Sequence, residues 1–590
     1  MSSWRPPAGM TADSDPIRVR GRIGCADDGA SAASSRWVPP TGMTGDLGLV
    51  RIGTGTAGDD DSCPERLAAR ARPRLRPQVR PSRRKPSLED FPLDPVMQVL
   101  DSVEHRNISV AAALAELDGR RRPLHPGLAS WVRQAVLAYV EGSGADAVAS
   151  HPVPSHWVVQ SRDPTAGRVW EMYAWGRRYQ SPDGVTREFR FLRFGTATGR
   201  DRDPAQVAIA AYAASRGAPA AWPQSWGDEF DVTPTAPVER VRVVEVGCSD
   251  GSRAVLFDGT PAQADALYAS HGRRRVNESV LGGTARPGPG CADCKLVTTC
   301  GALSRVPNLL GVSDPQAPLR TWSASDWRYY SACPAQEHMR RLHLPPSAAE
   351  YGPDVTRGRA VHAWLQALHS RCPYVQCLTA DVPESADDWS AGGWHVAGEQ
   401  ALNGSRMIEA HAQTCPFQIG DQITDARPEP VLAFHDTAAS VIVIAKPDLI
   451  YMDDGSWVWR ETKTASRSSR QNRDLLRAFP QLALGVLILH HNLLGGDPSG
   501  SRVELEILGP RRPDIILIDP ADSEQAAQAH EVISVVAGQW RKDEAFPAQP
   551  GSHCRTCAVS QWCPDFPAAD ADAAPGHLPI PSNRLWSIQP

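Results

Sequence analysis

The sequence predicts an α/β protein made of two tandem, diverged copies of one unit. Three observations predict it. Strand-like hairpins alternate with apolar helical stretches, the order of these elements repeats between the two halves, and each half ends on the same cysteine spacing, C-x2-C-x5-C. A chain of 590 residues is too long for one core, so two or more domains are expected.

The first ninety residues are rich in Gly, Pro, Arg, Ser and Asp and show little apolar periodicity. They are expected to be largely disordered, with a disordered segment over 1–55 ahead of a first domain over 56–312. Within them WRPPAGMTAD from Trp4 is echoed by WVPPTGMTGD from Trp37, an echo for which we have no functional account. A second domain is expected over 318–567, followed by a disordered tail, 568–590.

Each predicted domain opens with a Cys-Pro step at the head of a basic, helix-compatible stretch, SCPERLAARARPRLRP at Cys63 and ACPAQEHMRRLHLP at Cys333. A helix follows, GLASWVRQAVLAYV from Gly127 and GRAVHAWLQALH from Gly358. Hairpins come next, YQSPDGVTREFRFLRFGT around Asp183 and IYMDDGSWVWRETKTAS around Asp454, each with apolar runs about a turn signal. Then follow an Ala/Leu-rich helix (PAQVAIAAYAASRG; LRAFPQLALGVLIL), a strand (VERVRVVEV; SRVELEIL) and a last helix before the cysteines.

Those cysteines are CADCKLVTTC (Cys291, Cys294, Cys300) and CRTCAVSQWC (Cys554, Cys557, Cys563). Two triplets with identical spacing point to metal or cluster ligation, since a tight CxxC loop presents two thiolates to one centre. Three thiolates need a fourth ligand. Cys63 and Cys333 supply it in a common register, 228 residues before Cys291 and 221 before Cys554. For the second quartet a structural zinc is the rival of an iron–sulfur cluster. For the first quartet a cluster, zinc and an empty vestige are all open, and Cys248 competes with Cys63. Cys25, Cys372, Cys377 and Cys415 read as ordinary thiols.

The formal net charge of −5 excludes a broadly basic coat, so any nucleic-acid site must be a local groove. No apolar run reaches the roughly 20 residues of a membrane helix, and no signal-peptide pattern opens the chain, so a cytoplasmic protein is expected. Absence of a GxxxxGK[ST] P-loop means that any unwinding comes from a partner.

The charged residues of the second hairpin need their own explanation. Asp448 sits inside an apolar run, and Glu461 and Lys463 share one strand face because side chains repeat every two residues. The first half has Trp131, Glu188 and Arg190 where the second has His362, Glu461 and Lys463, and no acid opposite Asp448. Only the second half keeps a full metal-binding set, and the first reads as a structural or DNA-holding copy.

Taken together, SASDWRYYSACP (Ser323 to Pro334), GRAVH (Gly358, His362), Pro447–Asp448, Glu461–Thr462–Lys463, FPQLALG around Gln481 and PGSHCRTCAVSQWCP resemble a nuclease of the PD-(D/E)xK superfamily. The resemblance is to its RecB/AddB iron–sulfur type, including the CRISPR-associated adaptation nucleases. Lys446 stands where a glycine commonly precedes the aspartate, and Gly485 where a tyrosine often follows the glutamine.

The resemblance implies a restriction-endonuclease-like mixed sheet flanked by helices. It implies a metal-dependent DNA nuclease, an exonuclease or end-processing enzyme on single-stranded DNA, in repair, recombination or defence. The alternative is a non-catalytic DNA-binding subunit of a helicase–nuclease complex. Asp448 and Glu461 are hard oxygen ligands for Mg²⁺ or Mn²⁺, and His362 adds a nitrogen that tilts the preference toward Mn²⁺. Lys463 would orient water or neutralise phosphate, and Gln481 would position water or substrate. Cys333, Cys554, Cys557 and Cys563 would hold a [4Fe–4S] cluster as an architectural staple, with a second cluster or zinc at Cys63, Cys291, Cys294 and Cys300. Glu429 is a further candidate acid, and Arg467, Arg470 and Arg473 are candidate phosphate contacts. Trp457 and Trp459 are candidate base-stacking residues, worth roughly 1 to 3 kcal/mol per base.

Overall fold

The computed structural model describes residues 37–57, 62–79, 84–143, 150–198, 202–347, 352–418, 423–465 and 474–566. In the first half these form β1 (Leu49–Gly53), α1 (Pro64–Arg70), α2 (Leu93–His105), α3 (Pro126–Ser143), β2 (His151–Pro152), β3 (His156–Asp163), β4 (Arg168–Tyr173), β5 (Arg177–Gln180) and β6 (Thr186–Arg193). They continue with α4 (Pro204–Arg216), β7 (Ala218–Ala220), β8 (Arg240–Gly247), β9 (Arg253–Gly259), α5 (Pro261–Leu267) and α6 (Arg273–Leu281).

The second half contributes β10 (Ser304–Arg305), β11 (Arg320–Ser323), α7 (Trp327–Ala332), α8 (Pro334–Arg341), α9 (Pro353–His369), α10 (Gly398–His411), β12 (Ile423–Pro428), β13 (Leu432–Asp436) and β14 (Val441–Ala445). β15 (Leu449–Asp453), β16 (Ser456–Thr464), α11 (Pro480–His490), β17 (Arg502–Leu508), β18 (Pro513–Ile518) and α12 (Ser523–Lys542) follow.

Local chemistry sets the boundaries. Pro64 and Pro334 take the first helical position after Cys63 and Cys333, where a missing N–H costs nothing and the ring fixes φ for the helix. Asp453 pairs with Ser456, leaving Asp454 (φ 46°) and Gly455 (φ 80°) as a two-residue turn with both φ positive, the geometry whose twist suits a hairpin.

The five-stranded sheets of the two halves have the same order and sense. One runs β2-β5-β6-β8-β9, the other β12-β15-β16-β17-β18. In each, the middle pair (β6 with β8, β16 with β17) is parallel and every other pair antiparallel. A helix, α4 or α11, makes each parallel crossover, as parallel pairing requires. The four-stranded sheets also correspond: β1 runs parallel to β4 and β4 antiparallel to β3, as β11 does to β14 and β14 to β13.

Both faces of the second five-stranded sheet are covered, and period-two alternation sorts the side chains. Ile450, Trp457, Trp459, Val503 and Leu505 pack on α11 and α12 through Leu482, Ile488, Ile533 and Trp540. Leu449, Tyr451, Val458 and Leu508 pack on α9 and α10 through Val361, Leu365, Met407 and Ile408. Helix α11 is buried from Leu482 to Leu489, as its unbroken apolar run demands.

One expectation is corrected. Residues 37–57 are folded, with every residue of β1 buried in the four-stranded sheet and Trp37 buried against Glu65, whose carboxylate accepts from its indole N–H at 3.0 Å. The Gly- and Pro-rich composition hid a strand whose partner lies more than a hundred residues away. The two halves also pack against each other. Cys333, Ala335, Met339, Val559 and Trp562 share a core with Val96, Trp131 and Tyr139 of the first half, while Val297 and Leu303 pack on Ala433, Ile442 and Ile444 of the second.

Candidate active site and cysteine quartets

Asp448 stands where the chain crosses from one sheet to the other, between β14 and β15. Leu449 pairs with Arg460 across the hairpin, and this register sets Asp448 beside Glu461 at the mouth of the β15–β16 pair. Helix α9 comes so close to β16 that a Cβ on Gly358 would lie 2.9 Å from Thr464 Oγ1. One turn further along, His362 Nδ1 lies 3.1 Å from Asp448 Oδ1.

Lys463 Nζ lies 3.0 Å from Glu461 Oε2 and 3.6 Å from Asp448 Oδ2. The backbone N–H of Thr462 donates to Asp448 Oδ2 at 2.6 Å, and the indole N–H of Trp459 donates to Glu461 Oε1 at 3.2 Å. Glu429, between β12 and β13 in the left-handed region (φ 48°), joins the group: ligand atoms of His362, Glu429 and Asp448 all lie within 4.8 Å of one another. Its N–H donates to the Asp448 carbonyl at 3.0 Å, and Lys446 Nζ lies 3.3 Å from its carboxylate.

This arrangement drives the two hairpin carboxyls apart. Burial pushes Glu461 up to about 7, against the pull of Lys463 and with the Asp448 charge adding to the rise. Burial would raise Asp448 too, but His362, Lys463 and the Thr462 N–H outweigh it and hold the carboxyl well below its usual range. The same Asp448 carboxylate outweighs burial at His362 and raises its pKa. Burial, then Asp448, raises Glu429. Two carboxylates, Glu429 and Asp448, and the His362 imidazole converge around one point, with Glu461 alongside, and hard oxygen donors with one nitrogen fit a divalent ion.

Other predicted residues lie elsewhere. Gln481 is half-buried in the first turn of α11, and no hydrogen bond joins it to Asp448, Glu461 or Lys463 among the described residues. Arg467, Arg470 and Arg473 fall outside the described residues. Trp457 and Trp459 are core residues, 4% and 1% exposed, and are not available to stack on bases. Trp459 also accounts for Gly485, since a Cβ there would come within 2.9 Å of the indole.

In the first half the corresponding place is closed. Tyr179 pairs with Glu188 where Asp448 stands beside Glu461. Glu188 is buried between Arg190 (2.5 Å) and Arg242 (2.7 Å), the Arg190 guanidinium lies 3.7 Å from the Tyr179 ring centre, and Trp131 is fully buried. An ion pair and aromatic packing stand where the second half has its carboxylates and imidazole.

The cysteines of each predicted quartet lie near one another: Cys557 is close to Cys333, Cys554 and Cys563, and Cys291 and Cys294 are close to Cys63. Cys248 is buried instead with Val244, Val246 and Trp131, so Cys63 is the fourth member of the first quartet. The backbone N–H pattern is the same in both. Gly551 and Gly288 donate to Cys554 and Cys291 Sγ at 3.3 Å, while Gln549 and Arg286 donate to Cys333 and Cys63 Sγ at 3.4 and 3.3 Å. Burial pushes Cys557 and Cys294 up to about 11 and raises Cys563 and Cys291. Half-buried or buried thiols with N–H donors aimed at sulfur suit thiolates neutralised by iron or zinc. Cys333, Cys554, Cys557 and Cys563 also line one small cavity.

A PD-(D/E)XK nuclease superfamily model matches the segment that contains the complete set. Residues 321–564 match it. The match starts in β11 and ends just beyond Cys563, and its mixed sheets with flanking helices have the α/β architecture of a restriction-endonuclease-like fold. Among solved structures, a Eubacterium rectale protein described as "Putative exonuclease" is similar at 11% identity and a TM-score of 0.28, over 43% of this chain and 91% of that one. Among curated proteins none matches in sequence. Among the described residues no helix is long and apolar enough to cross a membrane.

Sequence reasoning missed one group. Cys377 and Cys415, read as ordinary thiols, are buried with His369 and His411, all four with ligand atoms within 4.8 Å of one another. The His-x3-Cys spacing of His411 and Cys415 was the available signal.

Proposed function

We propose that the chain is a divalent-metal-dependent DNA nuclease whose active site is formed by Asp448, Glu461, Lys463, His362 and Glu429. The observation that carries this reading is the convergence of the first three with His362 at the junction of two sheets, inside a segment matching a nuclease superfamily. A bound Mg²⁺ or Mn²⁺ would supply a nucleophilic water and offset charge on the phosphoryl transition state. Asp448, Glu461, His362 and Glu429 would be its protein ligands.

Lys463, held between two carboxylates, stays charged because their attraction outweighs the cost of burial. It is placed to orient a water or to neutralise a phosphate oxygen. Thr462 fixes Asp448 through its backbone N–H, and Trp459 fixes Glu461. Cys333, Cys554, Cys557 and Cys563 would hold an iron–sulfur cluster that is architectural, because it closes a loop of 221 residues between α8 and the C-terminal turn. The shared N–H pattern supports a second cluster at Cys63, Cys291, Cys294 and Cys300.

The matching strand orders support descent of both halves from one unit, the first half having traded its metal ligands for core. That half would serve to brace the second and to hold DNA. We infer a substrate with free ends, and a separate helicase where duplex must be opened. End-labelled linear single strands against covalently closed single-stranded circles test this: an exonuclease degrades the first and spares the second, and equal loss of both would make the enzyme an endonuclease.

A further inference from the structure

We propose that His369, Cys377, His411 and Cys415 form a structural zinc site, distinct from the nuclease centre and from both cysteine quartets. The four residues are 5%, 2%, 0% and 3% exposed. Their ligand atoms lie mutually within 4.8 Å, and the two Nε2 atoms are 3.0 Å apart. A tetrahedral Zn²⁺, with bonds of about 2.0 Å to nitrogen and 2.3 Å to sulfur, sets its donors about 3.3 to 3.8 Å apart. Two histidines on one iron and two cysteines on a second would spread the donors more widely. The compact group fits a single ion.

The surroundings select the same occupant. His411 Nδ1 lies 2.8 Å from Glu506 Oε1, so that nitrogen carries the proton and Nε2 presents its lone pair to the group. Glu506 is itself held by the hydroxyls of Thr414 at 2.6 Å and Thr462 at 2.9 Å. A carboxylate behind a ligating imidazole, anchored in turn by hydrogen bonds, is the usual support of a protein zinc ligand. The Cys377 N–H donates to Cys415 Sγ at 3.3 Å. Two thiolates would balance the charge of Zn²⁺ in a site closed to water, and four protein donors leave no open position for catalysis.

The proposed ion ties together parts that the active site needs in register. His369 lies two turns beyond His362 on α9, His411 ends α10, and Glu506 belongs to β17. Thr462 joins the two centres, its hydroxyl donating to Glu506 and its backbone N–H to Asp448.

The test is metal analysis of the full-length protein, purified anaerobically without chelators, with zinc K-edge X-ray absorption. The expected result is one zinc per chain in a shell of two sulfurs and two nitrogens. Cys415→Ser should lose that zinc while iron per chain is unchanged. Cys377→His, which keeps four donors, should retain it with one sulfur and three nitrogens, and this variant decides the matter if Cys415→Ser does not fold. Zinc absent from the wild type, zinc present only in an all-sulfur shell, a Cys377–Cys415 disulfide, or zinc retained unchanged in Cys415→Ser would each overturn the proposal.

Discussion

His362 on helix α9 and Asp448 at the crossing between two sheets meet at 3.1 Å, although 86 residues separate them in the chain. Their contact joins the helical layer to the hairpin that carries Glu461 and Lys463. His362→Ala should therefore weaken Mn²⁺ binding while leaving the fold intact, since His362 is only half-buried. Calorimetric titration with Mn²⁺ reads this directly, and an unchanged dissociation constant would remove His362 from the ligand set.

Metal affinity should depend on pH, with a sign fixed by Glu461. Its carboxyl, raised by burial to about 7, is largely protonated below that value in the metal-free site and must shed its proton to bind an ion. His362, also raised, has to lose one as well. Affinity for Mn²⁺ should rise with pH through about 7 and level above it, weakening on the acid side by about tenfold per pH unit for each proton displaced. Titrations at several pH values in buffers of different ionisation enthalpy would count those protons.

Gly485 marks a place where the chain departs from its resemblance for a packing reason. Gly485→Tyr would force a side chain into the Trp459 indole and should cost about 1–3 kcal/mol or more. Denaturant unfolding measures it, and wild-type stability in that variant would mean that Trp459 lies elsewhere.

Glu188 in the first half should matter to stability and not to chemistry. Glu188→Ala leaves the Arg190 and Arg242 guanidiniums without their shared acceptor, at a cost of about 3 kcal/mol. Nuclease activity of the folded fraction should be unchanged, and its loss would make the first half part of the reaction.

Cys557→Ser should lose iron and become insoluble or unable to bind DNA. Iron and sulfide analysis with a DNA-binding assay checks this, and a soluble, DNA-binding variant that keeps the wild-type iron and sulfide content would contradict an architectural cluster.

Much of the site was legible because Asp448, Glu461 and Lys463 lie in one hairpin, so that strand periodicity alone brings them together. The quartets were proposed from identical spacing alone. What depends on distant pairing was not. β1 looked disordered because its composition gives no hint of β4. Trp457 and Trp459 looked like stacking residues because a strand buried on both faces reads the same as one facing a groove. His369 and Cys377 carry no short-range signal, since two helices and a loop have to pack before they meet His411 and Cys415.

The most direct measurement of the central claim is Mn²⁺-dependent degradation of a labelled single-stranded oligonucleotide by wild type, Asp448→Ala and Lys463→Ala, each verified as folded. Wild type should degrade it, with both variants slower by about a thousandfold or more, the several kcal/mol that a metal-held water and its neighbouring charge contribute. Equal activity in all three would contradict the assignment of this site.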